Sequence, residues 1–145
     1  MKTNELKCTD LRIGDFLKYD DEIIQVSELC KNYVEFYDKE DLLIGDNPKY
    51  FQPIELTEEL LVKIGFEKGD TAPRYQKYYW EVYCENGKSL RLSYDFYYDE
   101  QRRLNITFRN REGIENEFKK YDIKYIHELQ NAYYLLTNEE LEVEL

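Results

Sequence analysis

Carboxylates are the side chains of this chain that most often do chemistry in proteins, and they occur in two dense runs. Asp20-Asp21-Glu22 and Asp38-Lys39-Glu40-Asp41 each bring three acidic residues together. Neither run has the Asp-x-Asp-x-Asp-Gly spacing of a calcium loop. In the second run, Leu42 stands where an oxygen ligand is needed. We therefore interpret both runs as solvated turns and predict no metal site.

Other catalytic residue types lack the partners that catalysis requires. His127 is the only histidine, and no second histidine and no motif-bearing serine or cysteine accompanies it. We expect it on a helix surface or at an interface. The chain contains neither a GxxxxGKS/T nor a GxGxxG motif, the usual nucleotide-binding loops. We predict a protein that is not an enzyme and that binds no cofactor.

Tyrosine is unusually abundant, with 15 residues in the chain. In the strand register derived below, one face of a central sheet carries three tyrosines and three arginines: Tyr75, Tyr79, Tyr83, Arg91, Arg103 and Arg109. Tyrosine and arginine dominate the hot spots of protein interfaces, and they also stack on single-stranded bases. The alternative is that these tyrosines pack the sheet, since aromatic residues favour strands, with the C-terminal helix covering this face.

The charge balance excludes several classes of partner. The chain has 20 Lys and Arg against 31 Asp and Glu, for a net charge of −11. Such a field repels phosphate backbones and anionic lipids, so we expect neither general duplex-DNA binding nor membrane binding. The residues that we assign to an acidic surface are Asp20, Asp21, Glu22, Asp38, Glu40, Asp41, Glu139, Glu140, Glu142 and Glu144.

Length and local patterns predict a single domain in the cytoplasm. The 145 residues fit one compact domain, 1–145, and 42% of them are hydrophobic, which is enough for a core. The opening residues lack an apolar run of signal-peptide length, and no stretch approaches the roughly 20 apolar residues of a membrane span. Cys8, Cys30 and Cys84 lack a CxxC spacing, so we interpret them as reduced thiols.

The N-terminal third predicts strands, and a short helix follows. Alternating runs between Leu11 and Asp38 predict a small antiparallel meander, with a partly open barrel as a further possibility. After Pro53, Thr57 is a helix-start signal and Gly65 a stop signal, so a helix of about two turns is expected between them.

The central third predicts a three-stranded antiparallel meander from YQKYYWEVYC, SLRLSYDF and RRLNITFR. A three-residue loop at 85–87 makes both faces of the first hairpin consistent. It pairs Val82 with Leu90, Trp80 with Leu92 and Tyr78 with Tyr94 on one face. We expect Trp80 to be buried between this sheet and a helix.

The C-terminal region predicts an amphipathic helix over 125–136, since apolar residues recur there at helical spacing. Thr137 and Glu140 have the spacing of a capping box for one further turn. The acidic tail is equally compatible with a strand, with Leu141 and Val143 inward, or with a frayed end. The predicted fold class is therefore α+β.

Three segments carry a resemblance: DLRIGDFLKY at 10–19, PIELTEELLVKIGFEK at 53–68 and KYIHELQNAYYLLTNEEL at 124–141. Together they resemble a family of small uncharacterised proteins of gut-type anaerobic bacteria, their phages and mobile elements, in which an LRIGN opening, a PIPLTEEWLLKFGFE segment and a VHQLQNLYFALTGEEL ending recur in that order. This chain departs at Asp15, where Asn is usual, and at Asn138, where Gly is usual. The resemblance implies a common architecture and a phage or mobile-element origin.

These observations lead to two functional hypotheses. The first is an interaction protein of phage or mobile-element type that binds and inhibits a host protein, for example a nucleic-acid-binding protein, by presenting carboxylates as a nucleic-acid mimic does; some anti-CRISPR proteins act in this way. The alternative is a small module that binds RNA, single-stranded DNA or a nucleotide through the face of tyrosines and arginines. The alternative to the first hypothesis is that the acidic residues serve only to keep the protein soluble.

Overall fold

The computed structural model describes the backbone of residues 6–72, 75–83, 89–97, 102–109 and 115–145, and the side chains of residues 6–69, 78–80, 92–95 and 123–145. The described part is mixed α+β, as predicted, with three antiparallel sheets and two helices. The chain divides into two compact units. The first contains the residues up to 55 with 125–141 and Leu145, and the second contains 56–124 with 142–144. That the chain folds as a single domain stays a prediction.

The first unit contains two small antiparallel sheets built from six short strands. These are β1 (Phe16–Tyr19), β2 (Glu22–Gln25), β3 (Glu28–Leu29), β4 (Val34–Tyr37), β5 (Leu43–Asp46) and β6 (Phe51–Pro53). The strand orders are β2-β1-β6 and β3-β4-β5. The predicted meander thus splits between β2 and β3 into two sheets, and neither sheet closes into a barrel within the described residues.

Alternation along the strands creates the core of this unit. Leu17 and Ile24 face each other across β1 and β2, and both are buried together with Phe36 and Phe51. The ring of Tyr19 joins them, with its centre 5.1 Å from that of Phe36 and 4.8 Å from that of Phe51. Tilted aromatic contacts of this kind add to the gain from apolar burial. The aromatic cluster therefore ties the two sheets together.

The predicted short helix is confirmed as α1 (Glu58–Ile64) in the second unit. The side-chain oxygen of Thr57 accepts a hydrogen bond from the backbone N–H of Leu60 at 3.2 Å, as expected of an N-cap residue. Gly65 ends the helix with a φ of 129°, a conformation that side chains with a Cβ rarely adopt. Both helix signals in the sequence are therefore correct.

The central sheet is larger than predicted. Its five strands follow chain order as β7 (Glu67–Ala72), β8 (Tyr75–Tyr83), β9 (Ser89–Tyr97), β10 (Arg102–Arg109) and β11 (Glu115–Asp122). The predicted meander corresponds to β8, β9 and β10. The two additional strands lie at the sheet edges, where charged residues are common, and their sequences lack apolar alternation. Apolar alternation in the sequence was therefore insufficient to predict β7 and β11.

The predicted register of the first hairpin is confirmed. Val82 pairs with Leu90, and the two pairs Trp80–Leu92 and Tyr78–Tyr94 follow along the same strands. Alternation was decisive here because a slip of one residue moves every side chain to the other face. The loop at 85–87 that we used to derive this register lies outside the described residues.

Trp80 is only partly buried, which corrects the expectation that it is buried between the sheet and a helix. Its ring centre lies 5.5 Å from that of Phe66, just after α1. A Cβ at Gly65 would stand 3.4 Å from the indole nitrogen, so the ring lies against the end of the helix. Leu92 and Tyr94, on the neighbouring strand, are fully buried instead.

The last helix, α2 (Ile126–Thr137), has the predicted extent within one residue at each end. It ends at Asn138, which adopts a left-handed conformation with a φ of 59°. The capping box predicted at Thr137 does not form. The hydroxyl of Thr137 instead donates to the carbonyl of Tyr133 at 2.8 Å, and the tail beyond is neither helix nor strand, with Leu141 buried.

Neither helix in the described part of the chain is long enough and apolar enough to cross a membrane.

Replacing Trp80 by Ala should lower the free energy of unfolding by about 2 kcal/mol, less than the 3 to 5 kcal/mol typical of a fully buried tryptophan. Urea unfolding measures this change. Val62→Ala is the control, since Val62 is 55% exposed on α1, and it should change stability by less than about 0.5 kcal/mol. A loss at Trp80 no larger than that of the control would contradict its packing on Phe66.

Candidate functional site

The first acidic run forms the turn between β1 and β2. Tyr19 pairs with Glu22, which leaves Asp20 and Asp21 as a two-residue turn with φ values of 50° and 63°. Two positive φ values are the feature of the type I′ turn, whose twist suits a hairpin, and Asp tolerates this conformation better than most residues. The turn holds both carboxylates exposed to solvent.

The second acidic run forms the turn between β4 and β5, which agrees with its interpretation as a solvated turn. One oxygen of Asp38 accepts hydrogen bonds from the backbone N–H groups of Glu40 and Leu42, at 2.8 and 2.9 Å. Asp41 adopts a φ of 58°. Asp38 therefore has a structural role as an Asx turn, while Glu40 and Asp41 remain exposed.

An ion pair joins the two turns. The Nζ atom of Lys39 lies 3.0 Å from a carboxylate oxygen of Glu22, with both side chains largely exposed. An exposed pair of this kind adds little stability. Its significance is positional, since it places the turn between β1 and β2 next to the turn between β4 and β5. We call the six acidic residues the acidic turn surface: Asp20, Asp21, Glu22, Asp38, Glu40 and Asp41.

The remaining predicted acidic residues lie in the C-terminal tail. Glu139, Glu140, Glu142 and Glu144 are all exposed. Glu140 is paired with Arg12 at 2.6 Å, so one of these carboxylates is already neutralised within the chain. No described contact joins the tail residues to the acidic turn surface.

Exposed apolar side chains accompany the acidic turn surface, and sequence reasoning missed them. Tyr37 and Leu43 lie directly opposite each other on β4 and β5 and are 57% and 51% exposed. Leu42, in the turn itself, is 57% exposed. The alternation of side chains along β4 could have predicted this exposure. Val34 and Phe36 are the buried positions of the strand, so Tyr37 lies on the outer face.

A polar network fixes α2 against the N-terminal segment. The side chain of Gln130 accepts a hydrogen bond from the N–H of Phe16 at 2.9 Å and donates one to the carbonyl of Gly14 at 3.0 Å. The guanidinium of Arg12, besides its ion pair with Glu140, lies 3.8 Å from the ring centre of Tyr134. Gln130 is 1% exposed, so its side chain belongs to the interior, whereas the ion pair of Arg12 with Glu140 lies at the surface.

Asp15 is a fully buried carboxyl within this network. One of its oxygens accepts the backbone N–H of Arg12 at 2.8 Å, and the side chain of Asn131 also interacts with the carboxyl. Burial raises the pKa of Asp15 from 3.8 to about 6, although the bond from Arg12 opposes the shift. The charged form is therefore disfavoured in the folded state.

His127 is buried in α2, which corrects its expected position on the helix surface. Burial lowers its pKa from 6.5 to about 4, against a smaller opposing effect from Asp10. Its ring stacks on Tyr125 with centres 5.9 Å apart. A neutral, buried imidazole fits a packing role. Within the described residues no group of three His, Cys, Asp or Glu side chains is arranged to hold a metal ion.

The predicted face of tyrosines and arginines has the expected backbone register. All six positions, which are Tyr75, Tyr79, Tyr83, Arg91, Arg103 and Arg109, fall on one face of the central sheet. Tyr79 is the only one whose side chain is described, and it is partly buried. Asp95, on the same face, is 3% exposed. The face is therefore at least partly covered near Tyr79, and its role in binding stays a prediction.

Residues from each of the three segments that carry the sequence resemblance are in contact within the first unit. Gly14 of the opening segment accepts a hydrogen bond from Gln130 of the closing segment, and Ile54 of the middle segment accepts one from the N–H of Ile126 at 2.9 Å. Comparisons with protein-family models, curated proteins and solved structures found no match to this chain. The suspected family therefore stays a prediction.

Asp15 and His127 should make opposite contributions to the pH dependence of stability. A raised carboxyl pKa stabilises the fold below about pH 3.8, and this contribution is lost as pH rises through about 6. A lowered histidine pKa stabilises the fold above about pH 6.5, and this contribution is lost as pH falls through about 4. Each effect amounts to about 3 kcal/mol at most, so in the wild type they largely cancel.

Single variants should separate the two effects. The stability of Asp15→Asn relative to the wild type should rise as pH increases from about 4 to 7, whereas that of His127→Gln should fall. Urea unfolding across this range measures both slopes, and carbon NMR of the Asp15 carboxyl gives its titration midpoint directly. Parallel slopes for the two variants, or an Asp15 midpoint near 4, would contradict the account.

Proposed function

We propose that this chain is a non-enzymatic interaction protein that binds a basic partner protein through the acidic turn surface. The observation that carries the proposal is the ion pair between Lys39 and Glu22, because it brings the two acidic turns together at one place. Six acidic residues are accompanied there by a single lysine from the same two runs. Such a local excess of negative charge attracts cationic surfaces and accelerates their association.

Rigid turns strengthen this proposal. The carboxylates of Asp20 and Asp21 are presented by a tight hairpin turn, and those of Glu40 and Asp41 by a turn that Asp38 holds with two hydrogen bonds. A surface that is ordered before binding loses little conformational entropy on association. An acidity that served only solubility would not require the charges to be held in this way.

The proposed partner is a nucleic-acid-binding protein of a host cell. Its cationic groups normally contact phosphates, and carboxylates at a similar density can occupy the same groups. The net charge of −11 agrees with this role, since it disfavours binding of the chain to nucleic acid itself. A phage or mobile-element origin, which the resemblance implies, would make the protein an inhibitor of that host protein.

Photo-crosslinking identifies the partner. A photoreactive amino acid at Glu40 should capture a protein from a nuclease-treated lysate, whereas the same amino acid at Leu135, which is 78% exposed on α2, should not. Capture that disappears after nuclease treatment would instead indicate a nucleic-acid ligand. Equal capture at both positions would contradict a specific surface.

Charge neutralisation of the turns should weaken binding to the captured and purified partner. The triple variant Asp20→Asn, Asp21→Asn and Asp41→Asn retains side chains that accept positive φ values, so the turns should persist. We expect the dissociation constant, measured by calorimetry, to rise about tenfold, which corresponds to about 1.4 kcal/mol. The wild-type complex should also weaken as salt increases, and the variant complex should respond less to salt.

A matched variant controls for total charge. Glu139→Gln, Glu142→Gln and Glu144→Gln remove three charges from the exposed tail and should leave the affinity nearly unchanged. An equal loss in both triple variants would show that overall charge, and not the acidic turn surface, controls binding. If DNA and this protein bind the partner simultaneously and independently, nucleic-acid mimicry is wrong.

A further inference from the structure

The outer face of the sheet β3-β4-β5 carries an apolar surface at its turn end. Tyr37 and Leu43 form a cross-strand pair and, with Leu42 in the turn, all three side chains are more than half exposed. Their neighbours along the strands, Phe36 and Ile44, face the opposite side and pack in the core. We call the three exposed residues Tyr37, Leu42 and Leu43 the apolar step.

The charges around the apolar step are mostly negative. Asp38, Glu40 and Asp41 lie in the same turn, and Glu28 and Glu35 pair with each other further along the outer face. Lys39, the one cation in this turn, is occupied by Glu22. An apolar centre with a charged rim is the usual anatomy of a protein interface. Here the rim is predominantly negative, and this excess of negative charge defines the partner.

We infer that the apolar step binds a short amphipathic basic segment of the partner, in which an apolar side chain lies between lysines or arginines. This inference rests on the proposed function and specifies the segment that the surface recognises. The apolar side chain would cover Tyr37 and Leu43 while the flanking cations approach the carboxylates of the turn. Charge attraction alone would bind any cationic surface, so the apolar step supplies the selectivity.

Charge complementarity favours this occupant over a second copy of the chain. Two copies joined through the apolar step would bring two sets of turn carboxylates together, and like charges at an interface oppose association. The same carboxylates repel the phosphates of a nucleic acid. A basic peptide segment satisfies both the apolar and the electrostatic character of the surface.

Three labelled peptides of equal length test the inference by fluorescence anisotropy: one alternates Arg with Leu, one Arg with Ser and one Glu with Leu. The Arg/Leu peptide should bind the wild type about tenfold more tightly than the Arg/Ser peptide, and the Glu/Leu peptide should not bind. Both arginine peptides should bind less tightly as salt increases.

Variants of the apolar step should remove only the preference for leucine. Tyr37→Ser with Leu43→Ser should lower the affinity for the Arg/Leu peptide to that for the Arg/Ser peptide and leave the salt dependence in place. Val62→Ser and Leu135→Ser are the controls, because these residues are 55% and 78% exposed on α1 and α2, and the tenfold preference should persist in both. If the double variant unfolds, Leu42→Ser provides the same test from the turn.

The results distinguish failure of this inference from failure of the proposed function. Salt-dependent binding of both arginine peptides without a preference for leucine overturns the apolar step and leaves the acidic turn surface intact. Binding that does not depend on salt, or no binding of either arginine peptide, counts against both. A wild-type dimer in sedimentation that the double variant abolishes would assign the apolar step to a second copy and overturn the inference.

Discussion

The side chain of Gln130 makes the interaction on which the architecture of the first unit depends. It accepts from the N–H of Phe16 and donates to the carbonyl of Gly14, so one amide satisfies two backbone groups more than 110 residues earlier in the chain. Buried backbone groups are costly to leave unpaired, and the alignment of α2 on the N-terminal segment is therefore sharply defined. The contact between Ile126 and Ile54 adds a backbone hydrogen bond to the same alignment.

Ionisable groups buried beside this contact limit the stability of the unit. Asp15 and His127 are both placed where their charged forms are disfavoured, and they respond to pH in opposite directions. A buried carboxyl must either lose its charge or bury it, which is a cost that a neutral amide at the same position does not have.

The proposed binding surface differs from the buried site of Asp15 and His127, because its charged groups remain in contact with solvent. Concentrating carboxylates on two adjacent turns produces repulsion, which solvent and salt screen at exposed positions. Tight turns then hold the charges without burying them, and β4 and β5 carry an apolar pair into the same region. In the proposed function, charge supplies the long-range attraction of this surface, and contact with the apolar step supplies its selectivity.

Sequence alone determined the features that depend on neighbouring residues: the α+β class, the caps at Thr57 and Gly65, the acidic turns and the strand register around Trp80. Local steric preferences and alternation with a period of two control these features. Tertiary structure decided which acidic turns are adjacent, that His127 is buried, and that Tyr37 and Leu43 stay exposed. An aromatic or aliphatic residue has the same intrinsic preference for a strand in the core and at the surface. Its burial therefore depends on which parts of the chain pack against it.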